Sequence, residues 1–439
     1  MKSRKRTNWK RLDNAAKIYP PTSNSRRSGV FTLSAVLNEE IDKDVLNDAV
    51  NVVLNRFPLF KVKLKRGVFW YYLEENKKPF YVAQEPPFFL QFINEEESND
   101  YLFRVFYFNN KITLAIFHAL TDGTGGMEVL KAIVFEYLIL KGYKIKADNE
   151  LKTIYSPYSN NETVDDFLRV YNKKTPKQPK ALPAFKITGT PFNNFGVGVI
   201  TAKISIEDVK KIAKDYDTTI TGLFSGLLVK IIYDNHVKNK KLKNKNVRVL
   251  VPVNLRKIYQ SDTMRNFAMF SRPGIDFVNN EENVDLKTCI EVCSKQIKEG
   301  STKEVIDTII ASNVKTEKNW LLKIAPLFLK DIAMQIGYSK LGDTLHTTSL
   351  SNLGLVSLPE GVKKHVKEFV FALGASYSSR FSMAVIGYES FLNLTFTRDF
   401  VETTIEREFI RFFTSQGVEV EVKSNYWEDN LWKSALNVK

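Results

Sequence analysis

Cysteine and histidine are scarce: the chain of 439 residues holds two of the first and four of the second. Two cysteines cannot build a disulfide framework. Cys289 and Cys293 lie four apart in EENVDLKTCIEVCSKQIKE, residues 281 to 299, where helical spacing makes them core packing rather than a bridge. So little cysteine fits a reducing compartment, and a cytoplasmic location is expected. Long hydrophobic runs are missing too. AIVFEYLIL, residues 132 to 140, is interrupted by Glu136, which argues against a membrane span. The basic start MKSRKRTNWKR is followed by no apolar core of the kind a secretory signal needs. Zinc-type spacing and fixed-period repeats are absent. So is a G-x-S-x-G elbow, because GLFSG at residues 222 to 226 has the wrong spacing and reads as helix interior.

What is present is the composition of a globular protein, 44% hydrophobic and 26% charged, in a chain long enough for two or three domains. The formal charge is +15. Much of it sits in short lysine clusters: at the start, in NKKTPKQPK at 172 to 180, and in VKNKKLKNKNVR at 237 to 248. These read as solvated loops and a tail. No aromatic-and-basic pattern accompanies them, so nucleic acid is not an expected partner. A basic surface can still attract anionic groups on small molecules, acidic proteins or lipids.

One histidine stands out, in FHALTDGTGG at residues 117 to 126. Before it, KITLAIF at 111 to 117 is the second strand of a hairpin that turns at Asn109-Asn110. After it, Met127, Val129, Leu130, Ile133, Val134, Tyr137 and Leu138 recur at helical spacing, with Thr124 suited to cap the helix. The order is strand, tight turn, helix. Asp122-Gly123 and Gly125-Gly126 leave little bulk beside the imidazole, so a ligand can approach the backbone there. Histidine titrates near neutral pH, so His118 suits general base catalysis; a satisfied structural histidine is the plain alternative. Asp122 either orients the ring or holds the turn. No metal is called for: a histidine and an aspartate four apart share a face only on a helix, and TDGTGG is a poor helix former.

Along the chain, a strand over GVFTLSAVL, a helix at about 43 to 57, and strands at about 59 to 65, 68 to 74 and 101 to 117 build a mostly antiparallel sheet with helices, an α/β sandwich pattern. From about 143 to 190 the chain turns polar and rich in proline and lysine, TPKQPKALP being the clearest linker. The predicted halves are residues 1–175 and 190–439. The second half repeats the recipe: strands at GVGVITAKIS and NVRVLVPVNLR, helices at IEDVKKIAKDYD, ITGLFSGLLVKIIYDNH and across 283 to 338, then four strands, a helix from about 402 to 416 and a last strand GVEVEV. WLLKIAPLFLKDIAMQIGY, residues 320 to 338, is apolar and helical. It reads as a helix packed on the second sheet, or as an entrance lid or a peripheral membrane contact.

FHALTDGTGG resembles the His-x-x-x-Asp-Gly signature of the chloramphenicol acetyltransferase-like superfamily, which includes alcohol acetyltransferases, wax ester synthases and peptide-synthetase condensation domains. RLDNAAKIYP, VLNRFPLF, VPVNLR with RNFAMFSRPGID, SNLGLVSLP and LNLTFTRDF are similar, in order, to stretches of bacterial alcohol acetyltransferase-type members, so the resemblance spans nearly the whole chain. It implies an α/β (α+β) fold in which two chloramphenicol acetyltransferase-like sandwich halves form a pseudo-dimer around a central tunnel. A tunnel within one chain permits a monomer. It further implies that His118 is the general base, that Asp122 is a structural partner held by an arginine, Arg256 first and Arg265 second, and that Gly123 leaves room beside a thioester. Ser351 and Asn352 would face the histidine from the second half as oxyanion or acceptor contacts. The implied reaction moves an acyl group from acyl-coenzyme A, a co-substrate with no permanently bound cofactor, to an alcohol or amine acceptor. The second histidine common in condensation domains is Phe117 here, which favours a simple acyltransferase and leaves open a carrier-protein donor in a lipopeptide or polyketide pathway.

Overall fold

The computed structural model describes residues 9–25, 27–87, 90–148, 151–172, 182–192, 197–278, 284–338, 343–374 and 379–425. One sheet has five strands, ordered Val366–Leu373, Val30–Leu37, Lys111–Phe117, Phe103–Phe108, Ala83–Gln84, the last four of them from the first half. The second contributes an eight-stranded sheet ordered Ala268–Ser271, Asn246–Asn254, Thr348–Val356, Phe381–Tyr388, Phe391–Arg398, Gly198–Ser205, Val420–Ser424, with Gly274–Asp276 paired beside Asn246–Asn254. A smaller sheet joins Trp9–Arg11, Tyr71–Glu75 and Val62–Arg66. This is the mixed α/β architecture expected from the sequence.

Local sequence explains the elements that frame the seam. Helix Lys43–Arg56 starts where the Asp42 carboxylate accepts from the Asp44 and Val45 amides, and it buries Leu46, Ala49, Val50, Val53 and Leu54 on one face. The hairpin of Phe103–Phe108 and Lys111–Phe117 turns through Asn109 at φ 50°, left-handed backbone that asparagine tolerates. Helix Gly123–Leu140 is apolar on nearly every side because it lies between the first sheet and helix Lys43–Arg56. On the second sheet, helices Ile220–Ile232, Leu286–Gly300 and Thr404–Thr414 bury Phe224, Ile290 and Phe409. Cys289 and Cys293 are free thiols in that core, and burial pushes the Cys289 thiol up to about 12.

Most of the linker expected between residues 175 and 190 lies outside the described residues; the strands of the five-stranded sheet lie before residue 118 and those of the eight-stranded sheet after residue 197, with one exception. Val366–Leu373 comes from the second half but pairs antiparallel with Val30–Leu37 at the edge of the first sheet. Its other face packs on the second half: the Phe369 ring meets Tyr388 at 5.1 Å, and Asn393 Nδ2 donates to the Phe369 carbonyl at 2.6 Å. One apolar core therefore runs from the first sheet to Ala384, Ile386 and Tyr388 of the second.

Residues 320 to 338 form two helices, Trp320–Ile324 and Leu327–Gly337, and the second of them reaches back to the first half rather than lying on the second sheet. The Leu327 amide donates to the Val68 carbonyl at 2.8 Å, and Gln335 Nε2 donates to the Pro21 carbonyl at 2.8 Å. Among the described residues no helix is long and apolar enough to cross a membrane.

Candidate active site

His118 is the first residue beyond strand Lys111–Phe117, and its amide donates to the Gly29 carbonyl at 2.8 Å, which extends the sheet by one step and fixes the backbone. The ring stacks on Tyr19 at 4.6 Å between centroids, 8° from parallel, and meets the edge of Phe31 at 5.0 Å. Its Nδ1 lies 2.9 Å from Asn266 Oδ1. Asn266 in turn donates its amide nitrogen to Asp13 Oδ2 at 3.2 Å. A carboxylate takes only hydrogens, so this contact turns the Asn266 oxygen toward the imidazole and places the ring proton on Nδ1. Nε2 is left with its lone pair, on a ring that lines the large central cavity.

Burial pushes the His118 imidazolium below its ordinary pKa, against the pull of Asp122 and the Asn266 hydrogen bond. The ring is therefore neutral at neutral pH. Tyr19 stays protonated, since burial pushes its phenol well above the ordinary range.

Asp122 is engaged at both carboxylate oxygens. Its Oδ1 accepts from the Gly125 amide at 3.1 Å, making Asp122 the N-cap of helix Gly123–Leu140, a place the sequence reading gave to Thr124. Arg256 grips it with two prongs, Nη1 to Oδ2 and Nη2 to Oδ1 at 2.9 Å each, and the Phe267 amide donates to Oδ2 at 2.9 Å. Burial works to raise the Asp122 pKa, but Arg256 and the two amides outweigh it and hold the carboxyl below the usual range. Among the described residues Asp122 makes no hydrogen bond to His118, so of the two roles open to it, the contacts are those of holding the turn.

Arg256 is itself anchored, donating to the Thr263 carbonyl at 2.8 Å and the Arg265 carbonyl at 2.7 Å. Arg265, the other arginine considered from sequence, places its guanidinium on Asp13 at 3.5 Å and on the Arg11 carbonyl, away from Asp122. Thr121 Oγ1 donates to the Met264 carbonyl. The stretch Met264–Asn266–Phe267 of the second half is thus threaded through the hydrogen bonds of the motif in the first.

His118, Asp122, Gly123, Arg256, Ser351 and Asn352 line one cavity of about 1750 Å³ bounded by both halves. A Cβ on Gly123 would lie 2.7 Å from Leu353 Cδ2, so this glycine lets the motif helix approach the strand Thr348–Val356 opposite it. Asn352 is committed within the protein, its Nδ2 donating to Thr221 Oγ1 at 3.2 Å and its Oδ1 accepting from the Gly354 amide at 2.9 Å. The Ser351 hydroxyl makes no side-chain hydrogen bond among the described residues, which leaves it the freer of the two. Lys17, Lys257, Arg272 and Lys330 add positive charge to the lining, against Asp122 and Glu317. Ser225 of GLFSG is buried in a helix and donates back to the Thr221 carbonyl at 2.7 Å.

Three residues at the site were not singled out from the sequence: Asn266, Asp13 and Tyr19. Asp13 and Tyr19 lie in RLDNAAKIYP and Asn266 in RNFAMFSRPGID, stretches that carried the resemblance, but nothing in their spacing marks a contact with residue 118.

No family model matches the sequence, and no curated protein matches it. Solved structures do. A trichothecene 15-O-acetyltransferase from Fusarium sporotrichioides superposes with a TM-score of 0.58 at 11% identity, over 92% of this chain and 94% of the other. TRI101 of F. graminearum, solved with coenzyme A and deoxynivalenol, gives 0.60 at 8% identity over 95% and 100%. The starter condensation domain of rhizomide synthetase, solved as a mutant with C8-coenzyme A and a leucine thioester analogue, gives 0.55 at 11% over 92% and 93%. The chain has their fold. At such identities the likeness is one of backbone, and it places the expected chloramphenicol acetyltransferase-like and condensation-domain architecture over nearly the whole chain.

Proposed function

We propose that this protein is an acyltransferase that moves an acyl group from an acyl-coenzyme A thioester to the hydroxyl of an alcohol, acting in the cytoplasm as a monomer. The observation that carries the reading is the placement of His118: its ring lines the cavity and its Nδ1 lies 2.9 Å from Asn266 Oδ1, an acceptor that holds the ring proton there and leaves Nε2 to take one. A ring so held accepts a proton at one place. In the reaction, Nε2 takes the acceptor hydroxyl proton while the oxygen bonds to the thioester carbonyl carbon. The tetrahedral intermediate then loses the carbon–sulfur bond, and the imidazolium returns the proton to sulfur, giving ester and free thiol. No acyl group need rest on the protein. Ser351 is the candidate donor to the developing oxyanion. The cationic lining suits the phosphates of coenzyme A, and the fold is shared with proteins solved with coenzyme A bound.

The second reading, a carrier-protein donor in a condensation-like reaction, draws on the same fold similarity and on the basic surface, which suits an acidic carrier. Phe117, where many condensation domains have a further histidine, favours the first reading. The test is release of free thiol from acyl-coenzyme A donors, acetyl to long-chain, with and without pooled alcohols and amines, for wild type and His118→Ala. Acceptor-dependent release that disappears in the variant is expected. A folded His118→Ala protein with wild-type turnover would sink the mechanism, and absence of turnover with every donor would move the donor to a carrier protein.

A further inference from the structure

Helix Leu327–Gly337 is inside out for a surface helix. Its two charged residues, Lys330 and Asp331, are buried at 6% and 9% exposure, whereas Phe328, Leu329, Ile332 and Ile336 are about half exposed, at 48% to 55%. An ordinary surface helix presents its charges to water and its apolar stripe to the core. The inversion is locked in place. Lys330 Nζ donates to the Phe69 carbonyl at 2.7 Å and sits 3.5 Å over the Trp70 ring, while Asp331 takes Arg66 Nη2 at 3.0 Å and the Tyr71 hydroxyl at 3.1 Å. Further apolar side chains are exposed close by: Trp320 and Ile324, 66% and 60% exposed, in the helix that precedes it in sequence, and Val68 and Phe69 of the hairpin to which it is clamped. Exposed apolar side chains gathered in this way mark an interaction site.

We propose that this face docks on an anionic lipid bilayer. Charge selects that occupant. The cations that precede the patch in sequence, Lys315, Lys318 and Lys323, are exposed, Lys318 lying over the Tyr171 ring, and the acids of the same stretch are already paired, Glu317 with Lys17 and Asp331 with Arg66. A second copy would bring the same cations against these, in a chain of formal charge +15. Anionic headgroups complement them, and tryptophan beside lysine at the edge of an apolar face is the composition of a helix lying in a membrane interface. The buried side of the same helix, through Leu327, Lys330, Met334 and Tyr338, lines the central cavity. Docking would therefore lay the cavity wall against lipid. That last consequence alone rests on the acyl-transfer reading, for it would supply a membrane-borne acyl donor or alcohol to the tunnel.

The test is flotation of the full chain with extruded vesicles of phosphatidylcholine, alone or mixed with phosphatidylglycerol. Wild type is expected to float with the mixed vesicles and less with the neutral ones. The double variant Phe328→Ser, Ile332→Ser changes only outward side chains; it should keep its melting temperature and lose about tenfold or more of its partitioning. Lys323→Glu should weaken binding to the mixed vesicles only. Wild-type protein left in the soluble fraction, or equal flotation of the double variant, would overturn the proposal. So would a lipid-free dimer in sedimentation velocity that the double variant dissolves, since a second copy would then cover the face. Flotation needs no turnover, so its failure leaves the thiol-release result standing, and the reverse.

Discussion

Asp122 and Arg256 meet as a two-pronged ion pair across the seam between the halves, both contacts at 2.9 Å and both side chains about nine-tenths buried. Asp122 also caps the motif helix and takes the Phe267 amide, so one carboxylate fixes the turn, the helix start and the docking of the second half. Removing it strands Arg256. A buried pair broken on one side costs about 3–5 kcal/mol. Asp122→Ala should lower the melting temperature by many degrees and turnover with it, while Arg265→Lys, which leaves Asp122 untouched, should leave the turn intact. Wild-type melting of Asp122→Ala by scanning fluorimetry would show that the pair does not hold the seam.

Asn266 is predicted to act through His118 rather than on substrate. With Asn266→Ala the Nδ1 proton loses its acceptor and the ring is free to turn over. Losing the partner that orients a ligating imidazole costs about tenfold to a hundredfold, and a similar fall in kcat with little change in KM is expected. A purely structural asparagine would instead lower stability and leave kcat per folded molecule unchanged, which steady-state kinetics beside a melting curve will separate.

The pH profile carries a sign. Burial lowers the His118 pKa, so the proposed general base is expected to stay neutral and competent below the ordinary histidine value of about 6.5. The acid limb of kcat/KM should fall below that value. Asn266→Ala and Asp122→Asn each remove an influence that raises the pKa, and in both the limb should move further down. A limb at or above 6.5 in wild type would mean that the ring is less buried during turnover than in the free protein.

Two glycines three residues or fewer from Asp122 should respond differently to alanine. At Gly125 an added Cβ would lie 2.3 Å from the Met264 carbonyl oxygen, backbone that cannot swing away. Overpacking of that kind costs about 1–3 kcal/mol. At Gly123 the obstacle is Leu353 Cδ2 at 2.7 Å, the tip of a flexible side chain. Gly125→Ala should therefore lower the melting temperature, whereas Gly123→Ala should spare it and raise KM for the thioester by pushing Leu353 into the cavity. Equal melting losses for the two would show that the strand opposite Gly123 is as rigid as backbone.

Local pattern made most elements legible. The helix over 43 to 57 and the hairpin at Asn109-Asn110 correspond to Lys43–Arg56 and to the turn between Phe103–Phe108 and Lys111–Phe117, because period and turn residues are short-range signals. The N-cap was misplaced because TDGTGG is poor helix by propensity, while the Asp122 carboxylate starts the helix at once. The resemblance put Arg256 before Arg265 as the partner of Asp122, and the fold shows the first guanidinium on Asp122 and the second on Asp13. Asn266 was invisible because its partner lies 148 residues away. The second-sheet packing read for residues 320 to 338 failed because an apolar helix was assumed to hide its apolar face, and this one hides its charges.

Strand Val366–Leu373 has a further consequence for traffic. It is hydrogen-bonded into one sheet while its neighbours in sequence, Thr348–Val356 and Phe381–Tyr388, are hydrogen-bonded into the other, so the backbone passes over the seam and returns. The clamp of Lys330 and Asp331 ties the halves at a second place. A molecule stitched in this way is a sleeve rather than a jaw: parting the halves would unzip a ladder along the whole strand. If the proposed acyl transfer holds, both substrates are expected to reach residue 118 by entering the cavity lengthwise, without the halves parting.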